Sequence, residues 1–202
     1  MSLRKKSGSH FGVLVIVCGL LFLQLAIAAE RGAAVPPPIN EWTNMNPATK
    51  PLGRWEHAMA YDSESDRVIM FAGMKPGVGG SCRCIMLADT WAYNFNTNTW
   101  TNMNPPIPKP LGRWGHSMAY DSESDRVILF GGNSGSLLDD TWAYNFNTNT
   151  WTNMNPSTKP SARQQHAMAY DSESDRVILF AGQHSNGIPD QETWSYWLHF
   201  FS

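Results

Sequence analysis

The nine residues YDSESDRVI occur three times without change, at Tyr61–Ile69, Tyr120–Ile128 and Tyr170–Ile178. A block repeated at intervals of roughly 50 to 60 residues confines the chain to architectures assembled from like units. Other signatures keep the same order around it. WTNMNP begins at Trp42, Trp100 and Trp151. An arginine follows each, at Arg54, Arg113 and Arg163, with a histidine three residues on, at His57, His116 and His166. After the nine-residue block an apolar run closes on Gly73, Gly132 or Gly182. A variable loop then leads to DTWAYNFNTNT at Asp89 and Asp140, and to ETWSY at Glu192.

Each unit has the patterning of strands. HAMAYD is a strand entering a turn, and SESD is too short and too polar to be anything but that turn. RVIMF and RVILF are apolar without alternation, as in a strand buried on both faces. TWAYNF alternates large and small residues, so Trp91, Tyr93 and Phe95 point one way and Ala92 and Asn94 the other. NTNT is a second tight turn and WTNM a return strand. Each full unit therefore holds two hairpins, and no helical periodicity follows Glu30. The chain enters with one strand at Trp42, passes through two units of four and ends with three near Trp197. The expected result is three four-stranded antiparallel sheets, the N-terminal strand completing the C-terminal one and hiding an edge.

These residues resemble a known family. The Gly-ended apolar strand is similar to the double-glycine strand of kelch repeats, although two units carry Ala-Gly. Tyr93 and Trp100, with six residues between them, resemble the spaced aromatic pair of that repeat, as do Tyr144 and Trp151. The third unit keeps Tyr196 without the tryptophan. The resemblance covers Glu41–Tyr196 and implies an all-β, kelch-type β-propeller similar to the central domain of galactose oxidase. The implied blades run over about 54–104, 113–155 and 163–197 plus 41–46, within a repeat region of 41–197, with 198–202 as a tail. Propellers have 4–8 blades. Three units leave three arrangements open: an open arc, a fragment of a larger propeller, or two chains forming a homodimer that closes a six-blade ring.

The leader departs from this pattern. Arg4, Lys5 and Lys6 precede a long apolar stretch from Phe11 to Ala29, and Ala26-Ile27-Ala28 is a small-x-small site. Residues 1–29 read as a signal peptide or an uncleaved membrane anchor, and both place the chain after Glu30 outside the cytoplasm. Residues 30–40 form a Pro-rich linker. Removing the leader's three basic residues would take the net charge from −2 to −5. A mildly acidic body excludes an electrostatic case for nucleic acid, and membrane contact is expected only through the leader. Cys82 and Cys84 are too close for an unstrained bridge and lack the histidine pair of a zinc site.

Little in the repeats looks catalytic. Asp62, Glu64 and Asp66 alternate like calcium ligands but lack the central Gly and the later bidentate Glu, so they read as a solvated turn. The recurring histidines read as scaffold, hydrogen-bonded to a loop of their own or of a neighbouring blade. Trp91, Trp142 and Trp194 read as packing, so Trp91→Ala is expected to cost more stability than Arg113→Ala. Arg54, Arg113 and Arg163 read either as scaffold or, by resemblance, as a basic rim where a partner docks. Trp55 and Trp114 stand beside them, and the third unit has Gln164 there. Unit-specific loops at Met74–Leu87, Asn133–Leu138 and Gln183–Pro189 carry what is individual to each repeat. No cofactor or metal is expected. The resemblance leads to an exported binding module for a protein or glycan, without catalysis. The rival, an oxidase or sugar-acid epimerase of the galactose oxidase sort, finds no distinctive Tyr–Cys pairing.

Overall fold

The computed structural model describes residues 40–77 and 84–198. The leader, most of the linker, Cys82 and residues 199–202 of the tail lie outside the described residues. The described residues are all-β. In chain order the strands are β1 (Ala58–Asp62), β2 (Arg67–Phe71), β3 (Met74–Lys75), β4 (Ile85–Met86), β5 (Thr90–Asn94), β6 (Thr99–Asn102), β7 (Ser117–Asp121), β8 (Arg126–Phe130), β9 (Thr141–Asn145), β10 (Thr150–Asn153), β11 (Ala167–Asp171), β12 (Arg176–Phe180) and β13 (Thr193–Tyr196). Blade 1 has the antiparallel order β1-β2-β5-β6, blade 2 has β7-β8-β9-β10, and blade 3 has β11-β12-β13. The variable loop of blade 1 adds a small β3-β4 hairpin.

Local chemistry sets each hairpin. The SESD turn places Asp66, Asp125 and Asp175 in the left-handed region, at φ of 52° to 54°, which Asp tolerates better than most residues. Asp121 Oδ1 accepts the amides of Glu123 and Ser124 at 3.1 Å each, and Asp62 Oδ1 accepts that of Ser65 at 3.0 Å. Tyr61, Tyr120 and Tyr170 each donate to the turn's last aspartate at 3.0 Å. The aspartates thus close the turn, as the sequence suggested, but Asp62 and Asp121 are buried against the next blade rather than solvated. The glycine ending each apolar run is needed for two reasons. Gly132 has φ +95°, and a Cβ there would lie 2.8 Å from the Trp114 carbonyl oxygen.

The blades stack face to face in chain order, β1 against β7 and β7 against β11. Each blade has a forward face toward the next blade and a rear face toward the one before. The forward face of blade 1 (Ala60, Ile69, Phe71) meets the rear face of blade 2 (Met118, Leu129, Trp151). Blade 2 meets blade 3 in the same way, through Ile128 and Ala143 against Val177. Trp151, on the outer strand of blade 2, is 3% exposed. It reaches into blade 1, packing 5.1 Å from Phe71 and donating its indole N–H to Thr90 Oγ1 at 3.1 Å.

One expected element is not formed. Among the described residues blade 3 has three strands, and Trp42–Met45, which was to complete it, contains no strand. A strand can join a sheet only within about 4.8 Å of its edge. Because blade 2 lies between the first and third blades, the stack remains an open partial propeller rather than a closed ring of three. Among the described residues, nothing of a next or preceding blade covers the rear face of blade 1 or the forward face of blade 3. Identical residues therefore differ in burial: Phe71 is 0% exposed and Phe130 3%, but Phe180 is 53%.

Candidate functional site

The β2–β5, β8–β9 and β12–β13 loops share one end of the blades with the segments carrying Arg54, Arg113 and Arg163. Each arginine turns inward. Arg113 Nη1 donates to Asp140 Oδ1 at 2.6 Å and to the Gly131 carbonyl at 2.9 Å. Its Nη2 donates to Asp140 Oδ2 at 2.8 Å, and its Nε to the Leu111 carbonyl at 3.1 Å. Arg54 repeats the arrangement with Asp89, Ala72 and Leu52. In blade 3 a glutamate replaces the aspartate. Arg163 donates to Glu192 at 2.8 Å and also pairs with Asp190 at 3.0 Å. All three arginine side chains are buried or nearly so.

The carboxylates also hold the strand tryptophans. Trp91, Trp142 and Trp194 donate their indole N–H groups to Asp89, Asp140 and Glu192 at 2.6, 2.7 and 2.8 Å. Burial pushes the Asp140 carboxyl up, but hydrogen bonds and charge from Arg113, then the Trp142 bond, outweigh it and hold the group below its ordinary value. The same balance holds Asp89 down through Arg54 and Trp91. Sequence reasoning missed these partners, although an acidic residue two positions before the strand tryptophan recurs in every unit.

The histidines also work as packing. Neither ring nitrogen of His116 or His166 has a hydrogen-bond partner of ordinary geometry, although the backbone of Phe71 or Phe130, in the neighbouring blade, acts on each ring. His116 instead sits edge-on to Phe71 at 5.7 Å, and His166 to Phe130 at 5.5 Å. Burial, with Arg113 nearby, brings the His116 pKa down to about 3. Burial and Arg163 bring His166 down to about 4. Backbone bonds tie the same segments across blades, Gly115 N–H to Glu56 and Gln165 N–H to Gly115, at 3.1 and 2.6 Å.

Of the five residues singled out as a docking rim, then, the guanidinium groups of Arg54, Arg113 and Arg163 are committed to the scaffold. Trp55 is exposed and Trp114 half-buried. Where blade 3 substitutes Gln164, a polar ladder replaces the indole: Asn133 donates to Gln164 at 3.1 Å and Gln164 to Gln183 at 2.9 Å. His184 lies 2.8 Å from Asp190 in the last loop. The exposed side of this end is therefore aromatic in blades 1 and 2 and amide-lined toward blade 3.

The family model described as the KLHDC2/KLHL20/DRC7 Kelch-repeats domain matches residues 77–201. The chain belongs to the kelch-repeat family. Kelch domain-containing protein 10 of Xenopus laevis is 32% identical to this kelch chain over 125 residues, 56% of the chain and 28% of that protein. The human protein of the same name is 30% identical over 126 residues, covering 58% of the chain and 26% of that protein. Host cell factor homolog hcf-1 of Caenorhabditis elegans is 27% identical over 126 residues, 56% of the chain and 16% of that protein. The kelch chain thus spans well under a third of the length of these relatives.

Proposed function

We propose that the chain is an exported interaction module whose loop end binds a protein or a glycan and catalyses no reaction. One observation carries this reading: at that end the repeated polar groups are spent on the scaffold. Arg54, Arg113 and Arg163 fix the loops from inside, and their carboxylate partners accept guanidinium and indole donors. What faces outward is Trp55, part of Trp114, and three loops that differ from one another. Rigid exposed aromatics beside variable loops suit recognition of a protein surface or stacking on a sugar ring. A second copy of the chain is one such protein partner. Export rests on residues 1–29, and the N-terminal sequence of material recovered outside the cytoplasm distinguishes a cleaved signal from an anchor.

Binding to arrayed glycans and to extracellular proteins tests the reading. Trp55→Ala and Trp114→Ala should each weaken the ligand found by about 10-fold or more. Thr148→Ala, on a β-turn at the other end of blade 2, should leave it unchanged. A screen that finds no ligand, or one held equally by all three variants, overturns the proposal.

A further inference from the structure

Between blades 2 and 3 lies a cavity lined by Phe130, Thr141, Val177, Leu179 and Tyr196, among others. Its walls repeat the surroundings of Trp151 moved on by one blade. Trp151 contacts Phe71, Thr90 and Tyr144, the last at 5.0 Å. The corresponding residues one unit later are Phe130, Thr141 and Tyr196, and all three line the cavity. It repeats the seat of Trp151, and no fourth strand of blade 3 fills it among the described residues.

The chain carries one unused copy of that strand. Trp42-Thr43-Asn44-Met45 has the sequence of β6 and β10 with their following methionine, yet forms no strand, and Trp42 is 103% exposed. The segment is anchored at its end. Asn98 Nδ2 donates to the Met45 carbonyl at 2.6 Å, just as Asn149 Nδ2 donates to the Met103 carbonyl, next after β6, at 2.7 Å. Met45 therefore stands to blade 1 as Met103, at the end of the outer strand of blade 1, stands to blade 2. Directly before Met45, Trp42–Asn44 carries the sequence that precedes Met103 in the outer strand of blade 1.

The two open faces match each other. On the rear face of blade 1, Met59 is 51% exposed where its counterpart Met118 is 5%. On the forward face of blade 3, Phe180 is exposed where Phe71 is buried. These are the same residues that bury each other at the two internal junctions. We propose that two copies of this chain join forward face to rear face at both ends and close a six-blade ring. In it, Trp42 of each copy adds a fourth strand to β13 of the other and fills the Phe130–Thr141–Tyr196 seat, its indole N–H on Thr141 Oγ1. The contact is head-to-tail and closes after two copies, and six blades fall within the propeller range. The inference does not rest on the loop-end reading, since none of these residues is Trp55 or Trp114.

The test uses the full chain, kept soluble in detergent. Analytical ultracentrifugation should find a dimer. Trp42→Ala should raise its dissociation constant about 1,000-fold, the loss of one buried aromatic hot spot worth about 30-fold at each of the two junctions, without changing the melting temperature of the separated copies, because Trp42 is fully exposed among the described residues. Phe180→Glu should abolish the dimer. A photo-crosslinking benzoylphenylalanine replacing Trp42, in a chain mixed with a 15N-labelled one, should join the labelled seat. A monomer, a dimer indifferent to Trp42→Ala, or crosslinks confined to the unlabelled chain would overturn the proposal. Loss of the loop-end ligand with the dimer intact would bear only on the proposed function.

Discussion

Arg113→Ala should lower the free energy of unfolding by about 3–5 kcal/mol, the range for removing one partner of a buried ion pair, and by more than Trp91→Ala does. This reverses the order expected from the sequence. Arg113 is fully buried, and its loss leaves the Asp140 carboxylate without its bidentate partner. It also strands the Gly131 and Leu111 carbonyls that it satisfies. Trp91 sits on the open rear face of blade 1 and is only half-buried, so its truncation removes less packing, about 1–2 kcal/mol. The indole whose loss opens a cavity is the buried counterpart Trp142, at about 3–5 kcal/mol. Arg113→Lys keeps the charge but not the fork, and should recover only part of the loss. Chemical denaturation of these variants in a Phe180→Glu background, the substitution expected to keep copies apart, gives the comparison. A Trp91→Ala loss equal to that of Arg113→Ala would show that the guanidinium is not what holds the blade.

The strands were legible because their cause is local. HAMAYD, RVIMF and TWAYNF became β1, β2 and β5, since alternation and turn chemistry act within a few residues. The β3-β4 hairpin was not, because its loop differs in length and sequence from the counterparts at Asn133–Leu138 and Gln183–Pro189. Burial was not legible either: Phe71 and Phe180 end the same strand pattern, and only the presence of a next blade separates them. The site failed for the same reason. Arg113 and Asp140 lie 27 residues apart, and nothing local says that the fork turns inward. The departure of Gln164 from the tryptophan pattern was visible, but its ladder to Asn133 and Gln183 depends on loops brought together by stacking. The missing tryptophan partner of Tyr196 was equally plain in the sequence. The cavity that matches the surroundings of Trp151 could be recognised only from the Trp151 contacts.

Stability should fall steeply as pH drops from about 6.5 toward 4.5, before the carboxylates titrate. In the folded chain His116 and His166 protonate only near pH 3 and 4, because burial first, and then Arg113 and Arg163, disfavour the imidazolium. His57 is shifted the same way, by burial and then Arg54. In the unfolded chain the same rings protonate near 6.5. Between these values the unfolded state binds more protons, so acid favours it. The full stability is present above about pH 6.5 and is lost as pH falls toward the folded values. Each of His116 and His166 should cost about 2–3 kcal/mol by pH 4.5. Asp89 and Asp140, held below their ordinary range, add their own losses only at lower pH. Denaturant midpoints at pH 7.5, 5.5 and 4.5 read the slope, and His116→Gln should roughly halve it while lowering stability at pH 7.5. A midpoint that stays level down to pH 4.5 would mean that the rings accept protons in place, and that Phe71 and Phe130 do not seal them from water.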